Sequence, residues 1–277
     1  MSGLTRNPVV SGLFYPAGKD NLSKMIGTLL REARTEVKDN IDIFGLISPH
    51  AGYVYSGGCA AFGFKWVKDR QFDTVIVLGP SHYAYLDGSS VWKAGMYKTS
   101  LGEVPIDTEA TQYLLDHKAR VEFSQAAHLQ EHSIEVQIPF LQQVLKNDFK
   151  LVPLIIGNQT LDYARLLASS IVDLLQKKEK QYLLVASSDL SHYHSDEVAQ
   201  RLDGNIIKAI EKMDPDTLYS LLENGKGEAC GAGPIMVLLL AAKKLKKDNI
   251  KILNVTNSGQ VSGDKSRVVG YMSAIIY

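Results

Sequence analysis

Six apolar, β-branched runs alternate with helical patterns along this chain, and that alternation limits its fold more sharply than anything else in it. The runs cover residues 43–47, 74–78, 151–156, 182–186, 250–255 and 268–276, each about the length of a buried strand. Helical patterns fill residues 56–69, 108–117, 134–145, 161–176, 197–212, 217–222 and 234–246. Helices alternating with strands imply layers of helix on a largely parallel sheet. Residues 90–103 break the rhythm. There Val91-Trp92, Gly95 and Met96-Tyr97 predict a hairpin, so the sheet is expected to be mixed. No linker rich in Pro, Gly or Ser interrupts the pattern, and there is no repeat. The expectation is an α/β fold: a single domain over residues 1–277 with a central mixed, largely parallel sheet flanked by helices.

Composition narrows the function classes. Thirty Lys+Arg balance thirty Asp+Glu, whereas a nucleic-acid binder normally carries an excess of positive charge. The two cysteines, Cys59 and Cys230, cannot build a disulfide framework and suit a reducing compartment. The longest apolar stretch, residues 234–242, falls far short of the roughly 20 residues that a membrane helix needs. No h-region precedes a cleavage site, so a cytoplasmic protein is expected, with neither nucleic acid nor membrane as partner. Val9, Leu13, Phe14 and Tyr15 are expected to pack an irregular N-terminal arm onto the surface. The lysine runs at 177–180 and 243–247 each follow a helix, where cations favour the C-terminal end, and are read as solvated ends.

Three strand candidates finish alike. Leu46-Ile47 leads into Ser48-Pro49-His50-Ala51-Gly52-Tyr53. Val77-Leu78 leads into Gly79-Pro80-Ser81-His82-Tyr83. Val185-Ala186 leads into Ser187-Ser188-Asp189-Leu190-Ser191-His192-Tyr193-His194. Ligands of open α/β sheets bind outside the carboxyl ends of the strands. If the three strands are parallel neighbours, His50, His82 and His192 converge there. Imidazole is both a common ligand for zinc, iron and copper and the usual acid or base near neutral pH. His117 and His128 sit in charged and polar helical stretches and are read as structural.

Cys230 lies in Glu228-Ala229-Cys230-Gly231-Ala232-Gly233-Pro234, directly before an apolar helix. A cysteine near a helix N-terminus has a lowered pKa and can serve as thiolate ligand or nucleophile. The alternative is a small buried core residue. A dinucleotide loop is excluded because Gly231-x-Gly233 lacks a third glycine and a preceding strand. Cys59, among Gly57, Gly58, Ala60 and Ala61, is read as packing. In Gln130-Glu131-His132-Ser133-Ile134-Glu135, His132 and Glu135 share a helix face. His132 is read equally as substrate-facing or structural, and no second histidine completes a zincin pattern.

Taken together, Ser48-Pro49-His50-Ala51-Gly52-Tyr53, Gly79-Pro80-Ser81-His82, Glu131-His132-Ser133-Ile134-Glu135, Ser188-Asp189-Leu190-Ser191-His192 and Cys230-Gly231-x-Gly233-Pro234 resemble the Memo family. Its prokaryotic members are called AmmeMemoRadiSam system protein B, and the animal members mediate receptor-driven motility. The resemblance runs from Phe14-Tyr15-Pro16 to Gly270-Tyr271. It implies a fold similar to the class III (LigB-type) extradiol dioxygenases, which use non-haem iron. It also implies metal ligation by His50, His82 and Cys230, and acid/base work by His192 with Asp189 beside it and His132 nearby. Those dioxygenases hold iron with two histidines and a carboxylate. A thiolate here suits copper or zinc as well as iron. The implied activity is that of a non-haem metal-dependent oxidoreductase. A metal-dependent hydrolase and a module that captures a peptide or small molecule are the alternatives. Tyr53, Tyr55, Tyr83, Tyr85, Tyr193 and Glu131 are expected to line the pocket. Family context adds AMMECR-type and radical SAM proteins as partners.

Overall fold

Four of the apolar runs become parallel neighbouring strands that end at a common edge. The computed structural model describes residues 4–38, 40–117, 119–177 and 180–277. Its strands in chain order are β1 (Thr5–Arg6), β2 (Gly45–Ser48), β3 (Thr74–Pro80), β4 (Ser89–Val91), β5 (Met96–Thr99), β6 (Gly102–Pro105), β7 (Val121–Glu122), β8 (Lys150–Ile156), β9 (Tyr182–Ser187), β10 (His192–His194), β11 (Ile250–Asn257) and β12 (Val268–Ile276). The helices are α1 (Lys19–Glu32), α2 (Tyr53–Trp66), α3 (Thr108–Asp116), α4 (Gln125–Leu129), α5 (Ile138–Val144), α6 (Leu161–Lys177), α7 (Asp196–Glu211), α8 (Pro215–Glu223), α9 (Ala232–Lys244) and α10 (Gly259–Ser262).

The large sheet runs β10-β12-β2-β9-β3-β8-β4-β7, with β11 paired to β12. Its centre, β2-β9-β3-β8, is parallel throughout. Its flanks turn antiparallel, where β12 meets β2 and β4 meets β8. The sheet is thus mixed, with its longest parallel part in the buried middle and one further short parallel pair, β4 with β7, at an edge. The middle is where parallel strands covered on both faces belong. Side chains alternate between two apolar layers, as the pleat requires. Val75 and Val77 of β3 and Leu183 and Val185 of β9 face the layer under α1, α2 and α5. Ile76, Leu78, Leu184 and Ala186 face the layer under α6 and α9. Among the described residues no helix is long and apolar enough to cross a membrane.

Several elements differ from the sequence expectation. The hairpin falls across β5 and β6, not around Gly95, and it joins β1 in a separate three-stranded sheet. Gly95 instead takes φ +86° where the backbone of Leu4 passes so close that a Cβ would lie 1.9 Å from its carbonyl oxygen. The helix expected over 134–145 begins as a 3-10 turn at Glu135–Gln137 before α5. Helix α1 was not anticipated, although Leu22, Ile26 and Leu30 recur at helical spacing and are its buried face. Of the first lysine run, Lys178 and Glu179 lie outside the described residues, and Lys180 pairs with Asp107 and Glu109.

Candidate metal centre

The carboxyl ends of the parallel neighbours β2, β9 and β3 deliver three side chains to one place. His50 lies two residues past β2, His82 two past β3 and Asp189 two past β9, and His192 opens β10. One ligand atom each from His50, His82 and Cys230 lies within 4.8 Å of the other two. Residues up to 180 positions apart in sequence are therefore brought together.

The tautomer of His50 follows from counting protons. Its Nδ1 sits 2.9 Å from Ser187 Oγ. The single hydroxyl proton of Ser187 goes to the carbonyl oxygen of Ser133 at 2.6 Å, and Gln137 Nε2 donates to Ser187 at 2.7 Å. Ser187 has no proton left to give, so His50 Nδ1 must donate and Nε2 carries the lone pair. That Nε2 lies 3.1 Å from Cys230 Sγ. Burial and the neighbouring His132 and His82 hold the His50 pKa well below its ordinary value, so the ring is neutral.

His82 is fixed in the same way. Its Nδ1 donates to Glu131 Oε1 at 2.9 Å, and its backbone N–H donates to Oε2 at 2.7 Å. Glu131 also accepts the backbone N–H groups of His132 and Ser133, each at 2.9 Å. Burial opposes its ionisation, but His82 and these N–H donors hold the carboxyl down at about 2. A carboxylate behind an imidazole orients it and raises its basicity, the usual support for a metal-binding histidine. Glu131 is fully buried, so the expectation that it lines the pocket is corrected: it stands behind the pocket and holds His82. Gly79 permits this approach, since a Cβ there would lie 2.4 Å from Ser133 Oγ.

Cys230 reaches the cluster because Gly231 lets its loop press on the end of β9. A Cβ on Gly231 would lie 2.2 Å from the Ser187 carbonyl oxygen. Cys230 Sγ accepts the backbone N–H of Asp189 at 3.2 Å. The lowered thiol pKa expected from the helix start is not found in the protein alone. Burial and the carboxyl of Asp189 push the Cys230 thiol up. Asp189 itself, buried and accepting the His50 N–H at 2.8 Å, is pushed up by burial to about 7.

His192 donates Nδ1 to the Leu190 carbonyl at 2.8 Å, which leaves Nε2 bare toward the cleft. Glu228 ties this segment to the cysteine loop, accepting from His194 Nε2 at 2.8 Å and from the His192 N–H at 3.3 Å. The cleft, about 700 Å³, is lined by His50, His82, His132, Asp189 and His192 and rimmed by Leu13, Phe14, Tyr55, Tyr193, Arg267 and Tyr271. Tyr193 and Tyr55 take their expected places. Tyr83 projects at the margin, 6.1 Å from the His132 ring. Tyr53 does not: it is buried in the core, its hydroxyl bonded to the Val136 carbonyl at 2.6 Å. Tyr85 is 93% exposed and outside the cleft. His132 stands inside, stacked on His82 at 4.7 Å. His128 is buried beside Trp92, and His117 stacks on Tyr113. Cys59 packs under β11 near the Asn254 carbonyl. Tyr271, Ser187 and Glu228 were not singled out by sequence reasoning.

Comparison with known proteins agrees with the motifs. A sequence model of the family described as Memo-like protein matches residues 6–275. A MEMO1 family protein of Thermotoga neapolitana is 39% identical over 282 residues, covering 99% of this chain and 100% of its own. One from Saccharolobus islandicus is 38% identical over 281 residues, covering 98% and 99%. One from Nitrosopumilus maritimus is 35% identical over 271 residues, covering 97% and 98%. Among solved structures, an uncharacterised protein of Escherichia coli K12 superposes with a TM-score of 0.58 at 16% identity, over 85% of this chain and all of its own. At that identity the likeness is one of fold.

Proposed function

Because this chain belongs to the Memo family, we propose that it is a metal-binding protein whose His50, His82 and Cys230 hold one iron or copper ion at the floor of the cleft, as a non-haem oxidoreductase. The observation that carries this reading is the donor set. Two imidazoles have their Nδ1 atoms committed to Ser187 and Glu131, and both Nε2 atoms are left for a shared neighbour with a thiol. Two nitrogens and a sulphur suit copper or iron, and zinc as well. The bound ion would supply redox and Lewis-acid chemistry.

The chain's own residues do the rest. Cys230 must give up its proton to ligate, so acid competes with metal. Asp189 accepts the His50 N–H and fixes the turn that presents the imidazole. His192, neutral because burial lowers its pKa, has Nε2 free to accept a proton from a molecule in the cleft. A second reading, capture of a peptide or small molecule, is favoured by the exposed apolar rim, where Leu13 is 80% and Tyr193 65% exposed.

Anaerobic reconstitution with ferrous or cuprous ion, elemental analysis and oxygen-uptake measurements test the proposal. Cys230→Ser is expected to lose most of the copper affinity in isothermal titration, and equal binding by both proteins removes Cys230 from the site. His192→Ala is expected to keep the metal and lose turnover. If the reconstituted protein takes up no oxygen with any reductant or substrate, the binding-module reading stands instead.

A further inference from the structure

Glu131 lies between two imidazoles. Its Oε1 is 2.9 Å from His82 Nδ1 and 3.6 Å from His132 Nδ1. The two rings stack within 17° of parallel, so both Nδ1 atoms face the same carboxylate oxygen. One ligand atom each from His82, Glu131 and His132 lies within 4.8 Å of the other two. His132 Nδ1 is sealed from solvent yet has no hydrogen-bond partner. Phe14 closes over that ring at 4.9 Å, and the His132 side chain is only 12% exposed. A buried ring nitrogen without a partner is costly. Glu131 Oε1 cannot relieve it, since it already accepts His82 Nδ1 and the N–H groups of His132 and Ser133.

We propose that His82 Nδ1, Glu131 Oε1 and His132 Nδ1 form a second metal position, for a divalent ion such as zinc or cobalt, beside the one that contains Cys230. Two nitrogens and a carboxylate oxygen make a borderline set without sulphur, which suits zinc and its spectroscopic substitute cobalt. The two positions meet in the His82 ring, with Nε2 toward the first and Nδ1 toward the second. The inference rests on the preceding reading only through that ring. Filling the second position displaces the proton that His82 shares with Glu131, and the proton passes to bulk water. With both positions filled the ring is an imidazolate with one ion on each nitrogen. The second ion therefore binds after the first and more weakly. It gives His132 Nδ1 the partner it lacks.

Titration of the full-length metal-free protein with cobalt(II) under anaerobic conditions, followed by calorimetry and absorption, tests this. Two equivalents are expected. The first should bring a sulphur-to-cobalt charge-transfer band and the second only the weaker d–d bands. His132→Gln should weaken the second equivalent by on the order of 100-fold and leave the first with its sulphur band. Cys230→Ser should lose the sulphur band and retain the second. A single equivalent that carries the sulphur band in the wild-type protein overturns the second position without need of any variant, and so does a second equivalent indifferent to His132→Gln. One His132-dependent equivalent with no sulphur band overturns the Cys230 site instead and leaves this one standing.

Discussion

Ser187 has one proton, and where it goes decides which nitrogen of His50 is bare. Replacing Ser187 with Ala removes the acceptor for His50 Nδ1 and leaves one N–H of Gln137 short of a partner. Metal affinity is expected to fall about 10- to 100-fold, with a stability loss of about 1–3 kcal/mol from the stranded amide. Calorimetric metal titration and urea unfolding of the same variant read the two effects separately. A variant with native affinity would show that Ser187 does not set the tautomer. At this scale the sequence was legible where chemistry sits in a local motif. His50, His82, His192 and Cys230 stand in such motifs, and the fold brings them to one edge. Glu131 was noticed but misplaced, and Ser187 was passed over, because the bonds that define their roles reach 49 and 137 positions along the chain. Tyr53 was misread for a different reason. Positions two apart on a helix point to nearly opposite sides, so Tyr55 reaches the cleft while Tyr53 enters the core.

Elements were legible where their apolar rhythm was uniform, as in β12, α6 and α9, and unreadable where packing overrode it. The segment after Ser133 turns as a 3-10 helix because Glu135, which the helical pattern would leave polar, is drawn inside. The β5–β6 hairpin was misplaced because Gly95 was taken for its turn, whereas its φ of +86° serves the passage of Leu4. Helix α3 begins on a buried carboxylate. Asp107 accepts the Ala110 N–H at 3.1 Å, the Thr74 hydroxyl at 2.6 Å and the Lys180 ammonium at 3.0 Å. Burial opposes its charge, but these donors hold its pKa below the ordinary value. A depressed folded pKa gives stability that is full above the unfolded value of about 3.9 and is lost as pH falls through the folded one. Asp107→Ala should therefore cost about 1 kcal/mol or more near neutral pH as a lost cap, and the difference from wild type should shrink in acid. Urea midpoints across that range decide it, and a constant difference would remove Asp107 from the acid response. Gly231→Ala forces a Cβ against the Ser187 carbonyl oxygen. It is expected to lower both the melting temperature and the metal affinity, because the Cys230 loop must lift off β9. A variant with native affinity and a native melting temperature would show that the loop does not need this close approach.

Across the whole molecule the N-terminal arm is stapled to the loop behind the site. Arg6 bonds to Glu135 and to the carbonyls of His128 and Glu131, and its guanidinium lies 4.7 Å over the Tyr97 ring. Glu135 in turn accepts the N–H groups of Val9 and Val10 and the Tyr15 hydroxyl. Both members of the pair are fully buried. Removing one strands the other charge, which costs about 3–5 kcal/mol. Arg6→Met is expected to destabilise by that amount in urea unfolding, and the Arg6→Met/Glu135→Gln double variant should recover part of it. An Arg6→Met protein as stable as wild type would show that the arm is dispensable to the fold. The order of the central strands has a further consequence, for the timing of synthesis. β9 lies between β2 and β3, so the first two strands of the central sheet to leave the ribosome do not pair with each other. β3 can pair with β8 earlier, but the edges of β2 and β3 that face β9 stay open and apolar until residue 187 has been made. A nascent chain stopped short of that point carries a sheet with its middle missing, and its unpaired apolar strand edges are of the kind that aggregate.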